Sequence, residues 1–347
     1  MACKGAKKNN TDSQTLMVNK TRLVHLDFAK AFAMILVVLG HIIVTYDSRG
    51  YNAPVAQGIY SFHTALFMFL SGYFFQNSLN KDIKTLIIAK TRQLILPYFA
   101  WSMICLLLIE IPTSDFDFLG CLTNFCIGGG ALRCYWYVKL LFVYIIVTWL
   151  LIKLFGNKWM GSASSLLLFT LLPDFSFSKI FIPFFITGFL SRGFMEKRVS
   201  WKCIVSLIIA LAIAYIFWDP SCNYISLNME IVPYFIRTII GIIVSVLTVL
   251  ITKQLIAVDN NRIVNEIAHS GTITLGIYLC HDLFYKGMIK RWVSILLPEN
   301  NIFIYILVAV SFFAVSVLIV RLLEKNRVLS LIFLGNKYSK INIINTL

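Results

Sequence analysis

Asp27, Lys30 and His41 are the residue types of anion binding and proton transfer, and they stand inside an otherwise apolar stretch running from Leu26 to His41. At about 100° per residue, a helix brings all three within roughly 60° of one another. Lys30 and His41 then lie about 16 Å apart along the axis. An imidazole with its ordinary pKa of about 6.5 exchanges protons near neutrality. An ammonium group attracts oxyanions. Charged groups in a membrane helix are costly and commonly face a cavity or a partner. The plainer reading is that Asp27 and Lys30, at i,i+3 near a helix end, pair and snorkel to the interface.

The chain has five histidines. His25 and His269 precede apolar stretches and are expected to be solvated. His41, His63 and His281 fall within such stretches. Counting rise per residue places these three in one layer, at mid-depth or slightly outside it. Each also has a structural reading, as a neutral imidazole hydrogen-bonded between helices. Among the eight cysteines, Cys121, Cys126, Cys134 and Cys222 fall in or near outer loops. They form one or two disulfides there, or they pack as free thiols. The Cys121–Cys126 spacing has no second half and no nearby histidine, so no metal site is expected. Gly128-Gly129-Gly130 reads as a flexible turn.

Elements that carry these groups follow from composition. Hydrophobic residues make up 59% of the 347, and mean hydropathy is +0.79. These values exclude an ordinary soluble domain. The apolar stretches show no period-2 alternation, which favours helices over a barrel. The fold class predicted is an all-α, polytopic membrane bundle of ten spans, at about 26–46, 55–76, 94–111, 133–155, 159–173, 177–194, 201–218, 230–256, 271–292 and 302–324. Residues 1–22 are a basic cytoplasmic tail, 23–324 the membrane domain, and 325–347 a second cytoplasmic tail. No secretory signal is expected, because the first apolar segment has no small-residue cleavage site after it.

The net charge of +15 does not point to nucleic acid, because most Lys and Arg residues lie between spans on one side. Lys81, Lys84, Lys90 and Arg92 form one such group, and Arg321, Lys325 and Arg327 another. This bias puts both termini inside, with some basic groups meeting membrane lipid. Arg237 counts among the outer flanks. Lys286, Lys290 and Arg291 run against the bias and either bind an anion or mark a misplaced span. Asn80–Gln93 reads as an amphipathic helix at the inner surface.

Several motifs now line up. The segment from Asp27 and Lys30 to Val38-Leu39-Gly40-His41 resembles the opening helix of the acyltransferase family 3 integral membrane proteins. That family shows a basic residue, ten residues, then His. Its usual Arg is replaced here by Lys30, which resembles the fucose 4-O-acetylase-like branch. Phe62-His63 with Leu70-Ser71-Gly72-Tyr73 is similar to its second helix. Arg92 with Pro97-Tyr98 is similar to the entry of its third. Tyr135-Trp136-Tyr137 stands where the family has Trp-Phe-Leu, and Leu275-Gly276-Ile277-Tyr278-Leu279-Cys280-His281 is similar to its late helix. The ordered set runs from about residue 22 to 324.

The resemblance implies transfer of an acyl group, usually acetyl from acetyl-CoA, onto hydroxyls of sugars or other envelope molecules. The implied donor-binding residues are Asp27, Lys30 and Arg92, which suit an anionic coenzyme A arriving from the cytoplasm. His41 is then the general base or the acyl carrier, with His63 and His281 orienting it or stabilising the oxyanion. Trp136, Tyr137 and Tyr278 are the implied acceptor-side residues. The acceptor is a cell-envelope glycan or a lipid-linked sugar, and the location the inner (plasma) membrane. Two readings compete. A transporter with a buried Asp, Lys and His site predicts repeat symmetry and paired broken helices. A scaffold subunit of a polysaccharide machine predicts that the polar groups are dispensable.

Overall fold

The computed structural model describes residues 23–110, 119–120, 123, 135–172, 178–197, 199–219, 231–258, 262–285, 290, 293, 295 and 301–336. Among them the chain is helical throughout and has no strand. The cysteines Cys121, Cys126, Cys134 and Cys222, the triple glycine, Lys286 and Arg291 lie outside the described residues, as do residues 1–22 and 337–347.

The helices are α1 Val24–Tyr46, α2 Pro54–Tyr60, α3 His63–Phe75, α4 Ile83–Lys90, α5 Leu96–Cys105, α6 Trp136–Phe155 and α7 Lys158–Leu171. They continue as α8 Ser178–Glu196, α9 Trp201–Ile216, α10 Ile231–Val258, α11 Arg262–Gly271, α12 Thr274–His281, α13 Ile302–Lys325 and α14 Arg327–Leu334. Among the described residues, five helical stretches are long and apolar enough to cross a membrane: Val24–Tyr46, Ile83–Leu108, Trp136–Phe155, Ile231–Ile256 and Ile302–Lys325. The second of these joins α4 to α5 through a π-helical stretch, Thr91–Ile95. The segment predicted as a separate surface helix is therefore continuous with the span that follows it.

Local sequence sets many of the ends. Pro54 opens α2, where its missing N–H costs nothing. Asp82, Asn157, Asn301 and Asn326 cap α4, α7, α13 and α14 by accepting backbone N–H bonds. Lys253 Nζ donates to the carbonyls of Met195, Glu196 and Lys197, at 2.7, 3.0 and 2.8 Å, and so satisfies the end of α8.

Glycines set the close approaches between helices. A Cβ at Gly72 would stand 1.9 Å from the Phe185 carbonyl oxygen, and one at Gly188 would stand 1.9 Å from that of Phe69. The pair locks α3 against α8. Gly271 ends α11 directly against α1, where a Cβ would lie 1.8 Å from the Asp27 carbonyl oxygen. In lipid the apolar surface alone does not drive helices together, so such backbone approaches carry much of the packing. The packed body also runs past residue 324. Helix α14 lies against α5, with the Phe333 carbonyl accepting from Trp101 Nε1 at 3.0 Å.

Two predicted spans contain breaks. The stretch 55–76 is interrupted between α2 and α3, where Phe62 has φ −144° and ψ −22°. The stretch 271–292 begins only at α12, because α11 stops at Gly271. Both breaks lie beside the site.

Candidate active site

Helices α1, α2, α3, α6 and α12 enclose a cavity of about 240 Å³. Lys30 and His41 both line it, so the face of α1 that carries them is the face turned to the cavity. His63, Trp136, Tyr137 and Tyr278 complete the predicted residues on its wall. Asp27, His281 and Arg92 are not on the wall. Asp27 stands behind Lys30, with Oδ1 2.7 Å from Nζ. The pairing expected from i,i+3 spacing thus occurs, and Lys30 reaches the cavity as well, with Nζ 5.2 Å from the centre of the Phe74 ring. Arg92 sits on the π-helical stretch, its Nε buried without a hydrogen-bond partner among the described residues.

His41, His63 and His281 gather with Tyr60 in one cluster. The His41 and His281 rings are 5.5 Å apart, Tyr60 and His63 4.7 Å, and His41 and Tyr60 6.3 Å. The depth count from rise per residue anticipates this layer. Their hydrogen bonds differ. His63 Nδ1 lies 2.7 Å from the Ile59 carbonyl oxygen and donates to it, while Nε2 is 3.0 Å from the Thr64 hydroxyl. His281 Nδ1 lies 2.6 Å from the Tyr278 carbonyl oxygen and 3.2 Å from that of Ile277. Its Nε2 is buried without a partner among the described residues. Both side chains therefore have one ring nitrogen tied to backbone. His41 differs: its Nδ1 faces a side chain, the Tyr60 hydroxyl, at 3.4 Å.

The break between α2 and α3 makes this possible. Ending a helix inside the bundle frees carbonyls that lipid cannot satisfy. The Ile59 carbonyl takes His63 Nδ1, and the Tyr60 carbonyl takes Nη2 of Arg237 at 3.0 Å. Arg237, counted among the outer flanks, is 1% exposed and lies in the packed interior, beside the site. A lone arginine in the apolar helix α10 was the signal available for this in the sequence.

On the opposite wall, Trp136 stacks on Phe181 with ring centres 5.0 Å apart. The Tyr137 hydroxyl donates to the Phe67 carbonyl at 3.2 Å and meets Ser71 Oγ at 2.9 Å. Tyr60, Thr64, Ser71 and Arg237 are the site residues that sequence reasoning missed. Apart from these residues and Thr274 the wall is apolar, with Phe67, Leu70, Phe74 and Leu141 on it.

A cavity with an ammonium at one end, an imidazole at the other and apolar walls between them suits a long, thin, anion-headed substrate. The model of the acyltransferase family 3, described as an acyltransferase domain, matches residues 23–321. The chain belongs to this family. It is a membrane protein and an enzyme, an acyltransferase of the kind that moves groups other than aminoacyl groups. Among curated proteins it is similar to the nodulation protein NolL of Mesorhizobium japonicum, 24% identical over 82% of this chain and 75% of that protein. It is also similar to the nodulation protein NolL of Sinorhizobium fredii, 27% identical over 52% of this chain and 51% of that protein. No solved structure matches the chain.

Proposed function

We propose that this acyltransferase takes an acyl group, acetyl in the first instance, from acyl-CoA and esterifies a sugar hydroxyl of a cell-envelope glycan or its lipid-linked precursor. One observation carries the reading: Lys30 and His41 line a single apolar-walled cavity on one helix face. In this reading the donor enters from the cytoplasmic side, with coenzyme A oxygens at Lys30 and the thioester carried toward His41. Asp27 orients Lys30. Arg92, on the neighbouring helix and off the cavity wall, meets the part of the coenzyme that stays outside.

His41 removes the proton from the acceptor hydroxyl as it attacks the thioester carbon, or first accepts the acyl group itself. His63 and His281 hold the surrounding imidazole and carbonyl geometry. Trp136, Tyr137 and Tyr278 form the acceptor side of the cavity. The protein sits in the inner (plasma) membrane with ten spans and both termini inside, as the distribution of Lys and Arg supports. A basic cytoplasmic tail precedes residue 23, and the membrane domain extends beyond the limit of 324 read from the sequence, since α14 packs on α5.

The test is transfer of radiolabel from acetyl-CoA by membranes containing the chain, beside His41→Ala, with candidate envelope glycans as acceptors. Label entering a glycan only with His41 intact supports the reading. Equal labelling by both proteins refutes the role of His41.

A further inference from the structure

Tyr60, the last residue of α2, is held from three directions. Arg237 donates to its carbonyl, its ring stands edge-on to His63 at 4.7 Å, and it stands edge-on to Tyr51 at 5.3 Å. Fixed this way, Tyr60 lines the cavity with its hydroxyl 3.4 Å from His41 Nδ1. Two further rings, those of Tyr285 and His281, pack on His41. Tyr285, 5.5 Å away, donates to the Val38 carbonyl at 3.2 Å, and His281 directs Nδ1 to backbone.

We infer that Tyr60 is a positioning residue for His41: its phenol oxygen accepts the His41 Nδ1–H, which places the imidazole lone pair on Nε2. The inference rests on the proposed role of His41 at the chemistry. The reaction needs this tautomer whether His41 acts as base or as acyl carrier, because both begin at a bare Nε2.

In the base route the acceptor hydroxyl loses its proton to Nε2 and its oxygen bonds to the acyl carbon. The carbon–sulfur bond then breaks, and Nε2 returns the proton to the departing thiolate. While Nε2 holds that proton the imidazole is cationic, and Nδ1–H donates more strongly to the Tyr60 oxygen. The interaction therefore grows toward the transition state and acts on turnover rather than on binding. The apo distance of 3.4 Å is long, as catalytic hydrogen bonds often are before substrate tightens them.

Two measurements test it on the full-length protein. In kinetics, Tyr60→Phe keeps the ring contacts and removes one oxygen. The expected result is a kcat lowered about 10- to 100-fold, the size of a lost hydrogen bond to a charged group, with KM for acetyl-CoA and acceptor unchanged. Unchanged kcat, or a raised KM alone, overturns the inference. The second measurement needs no donor or turnover. The 15N spectrum of histidine-labelled chain in lipid, with the His41 signals assigned through His41→Ala, reports which nitrogen carries the proton. Nδ1–H is expected, and Nε2–H overturns the inference even where transfer is observed. Absence of transfer by the unaltered chain refutes the donor–acceptor reading instead and leaves this spectrum to decide on Tyr60.

Discussion

His41 and Lys30 have separable tasks. Loss of a general base costs typically 10²- to 10⁴-fold, so His41→Ala is expected to lower kcat by about that factor while membrane insertion and thermal melting stay unchanged. Lys30→Gln removes the cation that faces the cavity. It is expected to raise KM for acetyl-CoA by about 10- to 100-fold, the size of a charged hydrogen bond, with kcat at saturation little altered. Steady-state kinetics on purified protein checks both. At the far end of α1, Asp47 takes Nε and Nη2 of Arg49 at 2.9 and 2.8 Å and also the Arg49 backbone N–H. These bonds hold the Asp47 carboxyl below its ordinary value of 3.8. A depressed carboxylate stabilises the fold above its unfolded pKa and loses that contribution as pH falls through the lower, folded one. Arg49→Ala is therefore expected to lower the melting temperature at neutral pH, and the gap to the unaltered protein is expected to close below about pH 3.8.

Between elements, glycines decide where α1 stands. Gly271 lets α11 reach the backbone of Asp27, the residue that holds Lys30. Gly271→Ala forces the two helices apart. Overpacking of this kind costs about 1–3 kcal/mol, and the change is expected both to lower the melting temperature and to raise KM for the donor. Gly58→Ala and Gly193→Ala are the controls, since a Cβ there meets nothing within 4 Å, and both are expected to be near neutral. Gly335 is a second such point. It follows α14 with φ +66°, and a Cβ would stand 2.4 Å from the Arg92 carbonyl oxygen. The stretch beyond the last long helix is thus fastened to the π-helical turn that carries Arg92.

For the whole molecule, the positive-inside bias predicts both ends on one side of the membrane. Reporter fusions at Met1 and Leu347 are expected to read cytoplasmic, and a fusion in the 47–53 turn to read external. An external reading at either terminus would turn the donor end of the cavity away from coenzyme A. Among the described residues, five helical stretches are long and apolar enough to span unaided. Others, such as α2, α3 and α12, are short or broken. They gain their place by packing around the cavity, and they bring the histidines and Tyr60 to it.

The all-helical class, the membrane setting and the shared face of Lys30 and His41 were legible in the residues themselves. Hydropathy and a 3.6-residue period are local properties, and they survive any arrangement of neighbours. The common layer of His41, His63 and His281 was also legible, because depth follows from counting along each span. Tertiary structure alone decided which polar groups from distant segments touch. Arg237 is 177 positions from the Tyr60 carbonyl it binds, and no periodicity links them. The break after Tyr60 has no proline to announce it; His63 meets the Ile59 carbonyl from four residues away, but Arg237 is a donor that only the assembled bundle brings to the Tyr60 carbonyl. Arg92 shows the converse. Its sequence position suited the donor site, yet the turn that carries it leaves it off the cavity wall, because helix rotation is set by packing against neighbours rather than by the residue's own charge.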